Sequence, residues 1–152
     1  MRRGVDPLST VGSERNGGRY HDPGVAGVLY TATDRAAAIA EVVRGLRARG
    51  IDPHSFGLQD WWVYELRISV DRVLDVADPA NLPEVNVSAS TLVADDTAAT
   101  RRIGRQARDA GFQALLAPSA AAHGSNNLVL FLAAIPTAPE VLSSTAIQLS
   151  AS

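Results

Sequence analysis

The sequence contains no cysteine and no lysine. Without cysteine, the chain cannot form a disulfide, a thiolate nucleophile or a cysteine-ligated zinc site. Without lysine, it cannot use a Schiff base or a lysine general base. All 14 basic residues are arginines, and we attribute this mainly to GC-rich codons, because alanine is also abundant. The chemistry of the protein must therefore depend on other side chains.

Long apolar segments and a strong positive charge are also absent. No apolar run reaches the ~20 residues of a membrane-spanning helix, and the two arginines at the N-terminus precede no apolar signal segment. We therefore expect a cytoplasmic protein without a membrane partner. The formal net charge of −2 argues against direct nucleic-acid binding, which needs a clustered positive surface.

The composition is that of a folded protein, since 46% of the 152 residues are hydrophobic and 20% are charged. This length suits one domain over residues 1–152. The residue pattern predicts an α+β fold with a mostly antiparallel sheet and two main helices. One helix is expected over residues 35–49 after the N-cap Asp34, and the other from Thr97 or Thr100 to Gly111. Strands are expected at residues 25–32, 61–70, 73–76, 112–117, 127–133 and 145–149.

Two segments are predicted to be loops. Residues 1–24 are rich in glycine and proline and are expected to wrap the core without regular structure. Residues 77–96 contain Pro79 and Pro83 among asparagines, serines and threonines, so we expect a long loop with one helical turn.

The most informative segment is residues 17–24, Gly-Gly-Arg-Tyr-His-Asp-Pro-Gly. Glycine lets backbone approach a neighbouring group closely, so these glycines would bring the chain near whatever Arg19 contacts. An arginine held in this way presents a fork of donors that suits phosphate or carboxylate. The alternative is a surface turn in which Arg19 pairs with Asp22.

Glu41 lies in the middle of the first predicted helix. Its neighbours one turn away are Ala37, Ala38 and Gly45, so little side-chain bulk surrounds the carboxylate. Such clearance suits a ligand beside a helical acid. The alternative is a solvent-facing glutamate that pairs with Arg44, which would contribute a few tenths of a kcal/mol, about 0.2–0.5.

Other polar residues have both structural and functional interpretations. Tyr30 lies in an apolar strand and Ser119 follows a strand end, so each is either ordinary packing and capping or part of a site. The three histidines lie in separate loops without metal-ligand spacing, so we expect no metal site. Four arginines in the second helix form a basic face that is either solvated or a docking surface for an acidic partner; these are Arg101, Arg102, Arg105 and Arg108.

In combination, the motifs resemble the RES domain, the toxin component of a widespread class of bacterial toxin–antitoxin pairs. The resemblance covers essentially the whole chain. Its pieces are Asp6-Pro7-Leu8-Ser9 with Gly12, Gly17-Gly18-Arg19-Tyr20, Leu29-Tyr30-Thr31-Ala32, the helix 36–43 with Glu41, Pro118-Ser119-Ala120 and Asn126-Asn127-Leu128-Val129-Leu130.

The resemblance implies a fold similar to that of ADP-ribosyltransferases and an enzyme that degrades NAD by phosphorolysis or hydrolysis. The family's site positions correspond to Arg19, Tyr30, Glu41 and Ser119, with Asn127 as an additional candidate. The family also has an arginine on its first strand, a position that only Arg2 or Arg3 can fill here. His21 stands where the family more often has asparagine.

The resemblance also implies roles and a partner. Glu41 would stabilise the positive charge that develops on ribose, Arg19 would bind the pyrophosphate, and Tyr30 and Ser119 would contact nicotinamide or ribose. NAD is thus expected as the substrate, and an antitoxin with an Xre-like helix-turn-helix domain as the protein partner. Two other functions remain open: an ADP-ribosyltransferase that modifies a cytosolic protein, and an inactive module that only binds the antitoxin.

Overall fold

The computed structural model of the chain describes residues 1, 4–55, 57 and 60–148. This part of the chain contains six strands and five α-helices. The strands are β1 (Val28–Ala32), β2 (Trp62–Arg67), β3 (Val73–Asp75), β4 (Ala114–Pro118), β5 (Asn126–Phe131) and β6 (Glu140–Ala146). The helices are α1 (Val11–Asn16), α2 (Arg35–Ala48), α3 (Leu82–Val85), α4 (Ala89–Val93) and α5 (Ala98–Asp109).

The strands form two sheets. The larger sheet has the order β1-β5-β4-β3, and only its β3–β4 pair is parallel. The smaller sheet pairs β2 with β6 in antiparallel orientation, with a register shift between Glu65 and Leu66. The predicted α+β class, with mostly antiparallel strands and α2 and α5 as the main helices, is therefore confirmed.

The larger sheet is covered on both faces because its central strands are apolar except at Asn126 and Asn127. One face carries Leu115 and Val129 and packs with Ile103 of α5, while the other carries Leu29 and Leu130. On α5, the buried residues follow the spacing of a single helical face, namely Thr100, Ile103, Gly104 and Ala107. The helix thus lies against the sheet with its arginines at the border of this face.

Local signals place the ends of the main helices. The Asp34 side chain accepts a hydrogen bond from the backbone N–H of Ala37 at 2.8 Å, which is the expected N-cap. After α2, Gly50 has a φ of +71°, a left-handed conformation that stops the helix at little steric cost. Thr97 precedes α5, as predicted.

Three predicted segments are wrong in detail. Residues 1–24 contain the helix α1, and residues 77–96 contain a 3₁₀ turn (Pro79–Asn81) as well as α3 and α4, which are too short to show helical periodicity in the sequence. The last strand begins at Glu140 rather than at residue 145, because nearly all of its side chains are exposed and show no alternation. Residue 149, its predicted end, lies outside the described residues. Within the described part, no helix is long and apolar enough to cross a membrane.

Candidate active site

The segment 17–24, here called the arginine loop, is folded against the protein's own strand β1. The backbone N–H of Gly18 donates to the carbonyl of His21 at 3.0 Å, which closes a tight turn. A Cβ atom on Gly18 would lie 2.4 Å from the hydroxyl oxygen of Tyr30. The backbone at Gly18 does approach another group closely, as the glycines predicted. That group is the Tyr30 side chain and not a partner of Arg19.

Helix α5 holds the arginine loop through three successive carbonyl groups, those of residues 18, 19 and 20. The donors are, in that order, Arg101 Nε at 3.0 Å, Thr100 Oγ1 at 2.7 Å and Arg108 at 3.2 Å. Between these contacts, Gly104 leaves room for the backbone of Tyr20. Because each carbonyl has its own donor, α5 fixes the backbone from which the Arg19 side chain extends.

Asp22, at the other end of the turn, pairs with α5 rather than with Arg19. Arg105 donates to its carboxylate at 2.9 Å, and Arg101 lies 3.8 Å away. The hydrogen bond from Arg105 lowers the pKa of Asp22. Three of the four arginines of the basic face thus bind the arginine loop, so the prediction of a purely solvated or docking face is wrong for them. Arg102 is exposed.

Arg19 is half-buried and reaches across to the end of α4. One terminal nitrogen of its guanidinium donates to the carbonyl of Ala94. A neighbouring ion pair joins Arg44 of α2 to Asp95 at 3.1 Å, so the predicted pairing of Arg44 with Glu41 is wrong. Both arginines therefore contact the segment that follows α4.

Glu41 is bound by two residues that are distant in the sequence. Ser119 Oγ donates to Glu41 Oε1 at 2.7 Å, and Asn127 Nδ2 donates to the same oxygen at 2.7 Å. Among the described residues, the second oxygen, Oε2, accepts no hydrogen bond. We call Glu41, Ser119 and Asn127 the carboxylate cluster. The interpretation of Glu41 as a merely solvent-facing residue is therefore wrong.

Strand register explains why the cluster forms. Asn127 on the central strand β5 lies opposite Ala32 on β1 and Ala117 on β4, and both alanines are small. Ser119 comes two residues after Ala117, so it continues the same face of the sheet. The Ser119 hydroxyl also accepts the N–H groups of residues 121 and 122, at 3.1 and 3.0 Å, which leaves its one proton for Glu41. The serine is therefore a fixed donor to the carboxylate.

Asn127 has one more polar atom. Its Oδ1 is buried and has no hydrogen-bond partner in the described part of the chain. Its amide must present Nδ2 to Glu41, because a carboxylate can only accept. Asn127 Oδ1 is thus a buried acceptor beside Glu41 without a donor among the described residues.

Tyr30 shares this face of the sheet, since it lies two residues before Ala32 on β1. The residue is about one-third exposed, at 36%, but its hydroxyl is turned into the protein, where it contacts the N–H of Tyr20 at 3.0 Å and His21 Nδ1 at 2.9 Å. Burial raises the pKa of the Tyr30 hydroxyl to about 12. The phenol is therefore neutral near pH 7, and its ring is the part that remains accessible.

Two residues of this region were not predicted as part of the site. His21 is fully buried and contacts Tyr30, whereas the sequence marked it only as a departure from the family pattern. Tyr20 is 2% exposed, and its hydroxyl has no partner among the described residues. Burial raises the pKa of Tyr20, and the charge of Glu41 raises it further, whereas that of Arg19 lowers it. The sequence signals were slight: Tyr20 belonged to the motif around Arg19, and His21 departed from the family pattern.

The other predicted positions are more distant or lie outside the description. His54 and His123 are exposed and do not meet His21, and the described residues contain no cluster of acidic and histidine side chains that could hold a metal. The first-strand arginine, Arg2 or Arg3, lies outside the described residues. The structure thus joins Glu41, Ser119 and Asn127 directly, and places Tyr30 on the same face of the sheet.

Comparison with known proteins bears on the family and the fold of this chain. A probable NAD(+) phosphorylase of Mycobacterium tuberculosis is 36% identical over 128 residues, which are 80% of this chain but only 57% of that protein. The crystal structure of the M. tuberculosis MbcT-MbcA toxin–antitoxin complex contains a chain with the same fold, at a TM-score of 0.84 and 22% identity. That match covers 97% of this chain and 80% of the other. The RES domain model matches residues 2–150, so the chain belongs to the RES domain family.

Proposed function

We propose that this chain is an enzyme that degrades NAD by cleaving the bond between nicotinamide and ribose, with inorganic phosphate as the acceptor. The observation that carries the proposal is the carboxylate cluster, in which Glu41 Oε1 is fixed by two donors while Oε2 is left for a ligand. The relative of M. tuberculosis that is a probable NAD(+) phosphorylase supports both the substrate and the acceptor.

The chemistry of the bond explains why a fixed carboxylate is useful. As nicotinamide leaves, positive charge develops at the anomeric carbon of the ribose. A carboxylate that is already oriented stabilises this charge without reorganising, and one such group typically contributes about 3–4 kcal/mol, or a factor of 10²–10³ in rate. Ser119 and Asn127 would keep Glu41 in that orientation through the reaction. The mechanism needs no covalent nucleophile.

The surrounding residues would bind the two ends of the substrate. Arg19 uses one N–H for Ala94, and its remaining donors would bind the pyrophosphate. The accessible ring of Tyr30 would pack against nicotinamide or its ribose. Asn127 would act through its Nδ2, which holds Glu41 beside the ribose.

We further propose that the chain is the toxin of a toxin–antitoxin pair and that it acts in the cytoplasm. The support is the similar chain of the MbcT-MbcA toxin–antitoxin complex. The partner would be an antitoxin with an Xre-like helix-turn-helix domain, and DNA contact would belong to that partner. Expression of this chain alone should then deplete cellular NAD and stop growth, whereas Glu41→Gln should do neither.

The enzymatic proposal is tested by incubating purified protein with NAD in the presence and absence of inorganic phosphate. We expect NAD loss that depends on phosphate and yields nicotinamide and ADP-ribose phosphorylated at the anomeric carbon. Glu41→Gln should lower the rate at least 100-fold. The control is Glu84→Gln, which removes an exposed carboxylate on α3 and should keep the full rate.

Each other outcome identifies a different reaction. Phosphate-independent loss with free ADP-ribose would indicate hydrolysis. Transfer of labelled ADP-ribose to a protein in a lysate, with little free product, would indicate an ADP-ribosyltransferase. Full NAD loss by Glu41→Gln would refute the role of the cluster, and no loss under any condition would leave a binding module.

A further inference from the structure

His21 is a buried histidine in which both ring nitrogens are hydrogen-bonded. The residue has 0% exposure and lies where the arginine loop meets β1. Its Nε2 is 2.8 Å from the carbonyl oxygen of Ser13, and its Nδ1 is 2.9 Å from the hydroxyl of Tyr30. The ring therefore bridges α1 and β1.

These partners determine where the protons lie. The Ser13 carbonyl can only accept, so Nε2 carries the hydrogen, and Nδ1 of the neutral ring must then accept the Tyr30 O–H. The Tyr30 oxygen in turn accepts the backbone N–H of Tyr20 at 3.0 Å. The one proton of the Tyr30 hydroxyl is therefore already donated within the protein.

The surrounding packing keeps the hydroxyl in this position. The backbone of Gly18 lies so close that a Cβ atom there would be 2.4 Å from the Tyr30 oxygen. The hydroxyl thus has Gly18 on one side and His21 on another, while the residue as a whole is 36% exposed. What a ligand can meet is the ring and not the hydroxyl.

We propose that His21 is a positioning residue that accepts the Tyr30 hydroxyl proton and so holds the Tyr30 ring as an apolar wall of the ligand site. Tyr30 then acts by stacking on a flat or ring-shaped part of the ligand, and it does not transfer a proton. The identity of that ligand as NAD rests on the proposed function.

The first test is a double-mutant cycle on NAD turnover. With the wild-type Tyr30, His21→Leu should lower kcat/KM about tenfold. In the Tyr30→Phe background, where there is no hydroxyl to hold, the same substitution should lower it less than about twofold. His21→Asn, which can still place an acceptor near the Nδ1 position, should recover most of the loss. Tyr30→Phe, which keeps the ring, should retain far more activity than Tyr30→Leu.

Two results of the cycle would overturn the proposal. An equal cost of His21→Leu in both backgrounds would mean that His21 supports the fold independently of Tyr30. Equal losses in Tyr30→Phe and Tyr30→Leu would mean that the hydroxyl itself acts on the ligand. Circular dichroism and thermal unfolding of each variant separate loss of fold from loss of activity.

The second test does not depend on activity. In ¹⁵N-histidine NMR, His21 should show a protonated Nε2 and an unprotonated Nδ1, and the Nδ1 resonance should move in Tyr30→Phe. The exposed His54 and His123 serve as internal references and should not respond. An Nδ1–H ring or an Nδ1 unaffected by Tyr30→Phe overturns the proposal. If the wild type leaves NAD intact, only the proposed function fails, and the NMR result still decides the role of His21.

Discussion

A Cβ atom at position 104 would lie 1.8 Å from the carbonyl oxygen of Tyr20. Gly104 therefore sets how closely α5 can approach the arginine loop. The same carbonyl accepts a hydrogen bond from Arg108, so the approach and the hydrogen bond belong to one contact. The position of the candidate site relative to α5 therefore depends on the absence of a side chain at Gly104.

Gly104→Ala should destabilise the protein even though alanine is the better helix former. The methyl group would force the loop away from α5, and such overpacking costs roughly 1–3 kcal/mol in the free energy of unfolding. The control is Gly45→Ala on α2, where a Cβ would meet nothing within 4 Å. That variant should gain about 0.5–1 kcal/mol. Urea unfolding measures both, and a stabilised Gly104→Ala would contradict the contact.

Ser119→Ala should reduce NAD turnover. It removes one of two donors to Glu41 Oε1 and leaves the N–H groups of residues 121 and 122 without their acceptor. We expect NAD turnover to fall roughly 10- to 100-fold, or about 1.4–2.7 kcal/mol in transition-state stabilisation.

The matched control for Ser119→Ala is Ser143→Ala, which removes an exposed hydrogen bond from serine to Glu65 at 3.1 Å on β6. This variant also breaks a serine–glutamate contact, but it lies outside the carboxylate cluster. Its turnover should equal that of the wild type. Equal activity of the two variants would show that Ser119 does not orient Glu41.

His21 should make stability depend on pH in the mildly acidic range. Burial lowers its pKa, the charges of Arg108 and Arg101 lower it further, and the Ser13 carbonyl and Asp22 oppose this shift. Tyr30, which also faces the ring, stays neutral in this range. The unfolded chain binds a proton near pH 6.5 while the folded protein resists it, so the free energy of unfolding should fall as the pH drops below about 6.5.

Urea unfolding between pH 7.5 and 5 measures this dependence. His21→Asn should flatten it, because asparagine does not titrate. Asp22 does not obscure the result, since Arg105 lowers the pKa of its carboxyl and moves its titration to more acidic pH. A slope of the same size in His21→Asn would assign the effect to another group.

The sequence predicted those parts of the molecule whose signals are local. Asp34 and Gly50 mark the ends of α2 because a cap and a left-handed glycine each act within one helical turn. Glu41, Ser119 and Asn127 were each predicted as site residues from the family order of motifs, but the hydrogen bonds of Ser119 and Asn127 to Glu41, across 78 and 86 positions, were not predicted. Their catalytic and binding roles remain predictions.

The contacts of α5 with the arginine loop could not be predicted in this way. Arg101, Arg105 and Arg108 follow a pattern typical of a solvated helix face, and their partners lie 83 to 88 positions earlier in the chain. Nothing in the local sequence indicates that two of them will meet backbone carbonyl groups and that Arg105 will meet the Asp22 carboxylate. A glycine within a helix is equally uninformative about its contacts. Gly104 lies against the backbone of Tyr20, whereas a Cβ on Gly45 of α2 would meet nothing within 4 Å.

Tyr20→Phe should make the ligand-free protein more stable. The Tyr20 hydroxyl is buried without a partner in the described part, and leaving such a group unsatisfied costs about 1–3 kcal/mol. Phenylalanine keeps the packing of the ring in the core and removes this cost, so the melting temperature should rise. Tyr64→Phe on β2, a half-buried tyrosine outside the site, is the control and should change stability less.

The same variant tests whether the hydroxyl serves the ligand. The charges of both Arg19 and Glu41 act on Tyr20, so its hydroxyl lies within electrostatic reach of the candidate site. If substrate supplies the missing hydrogen bond, Tyr20→Phe will be more stable without NAD but will show a higher KM for NAD. A gain in stability with an unchanged KM would show that the buried hydroxyl is a cost of the fold with no part in binding. A loss of stability would mean that the hydroxyl has a partner after all.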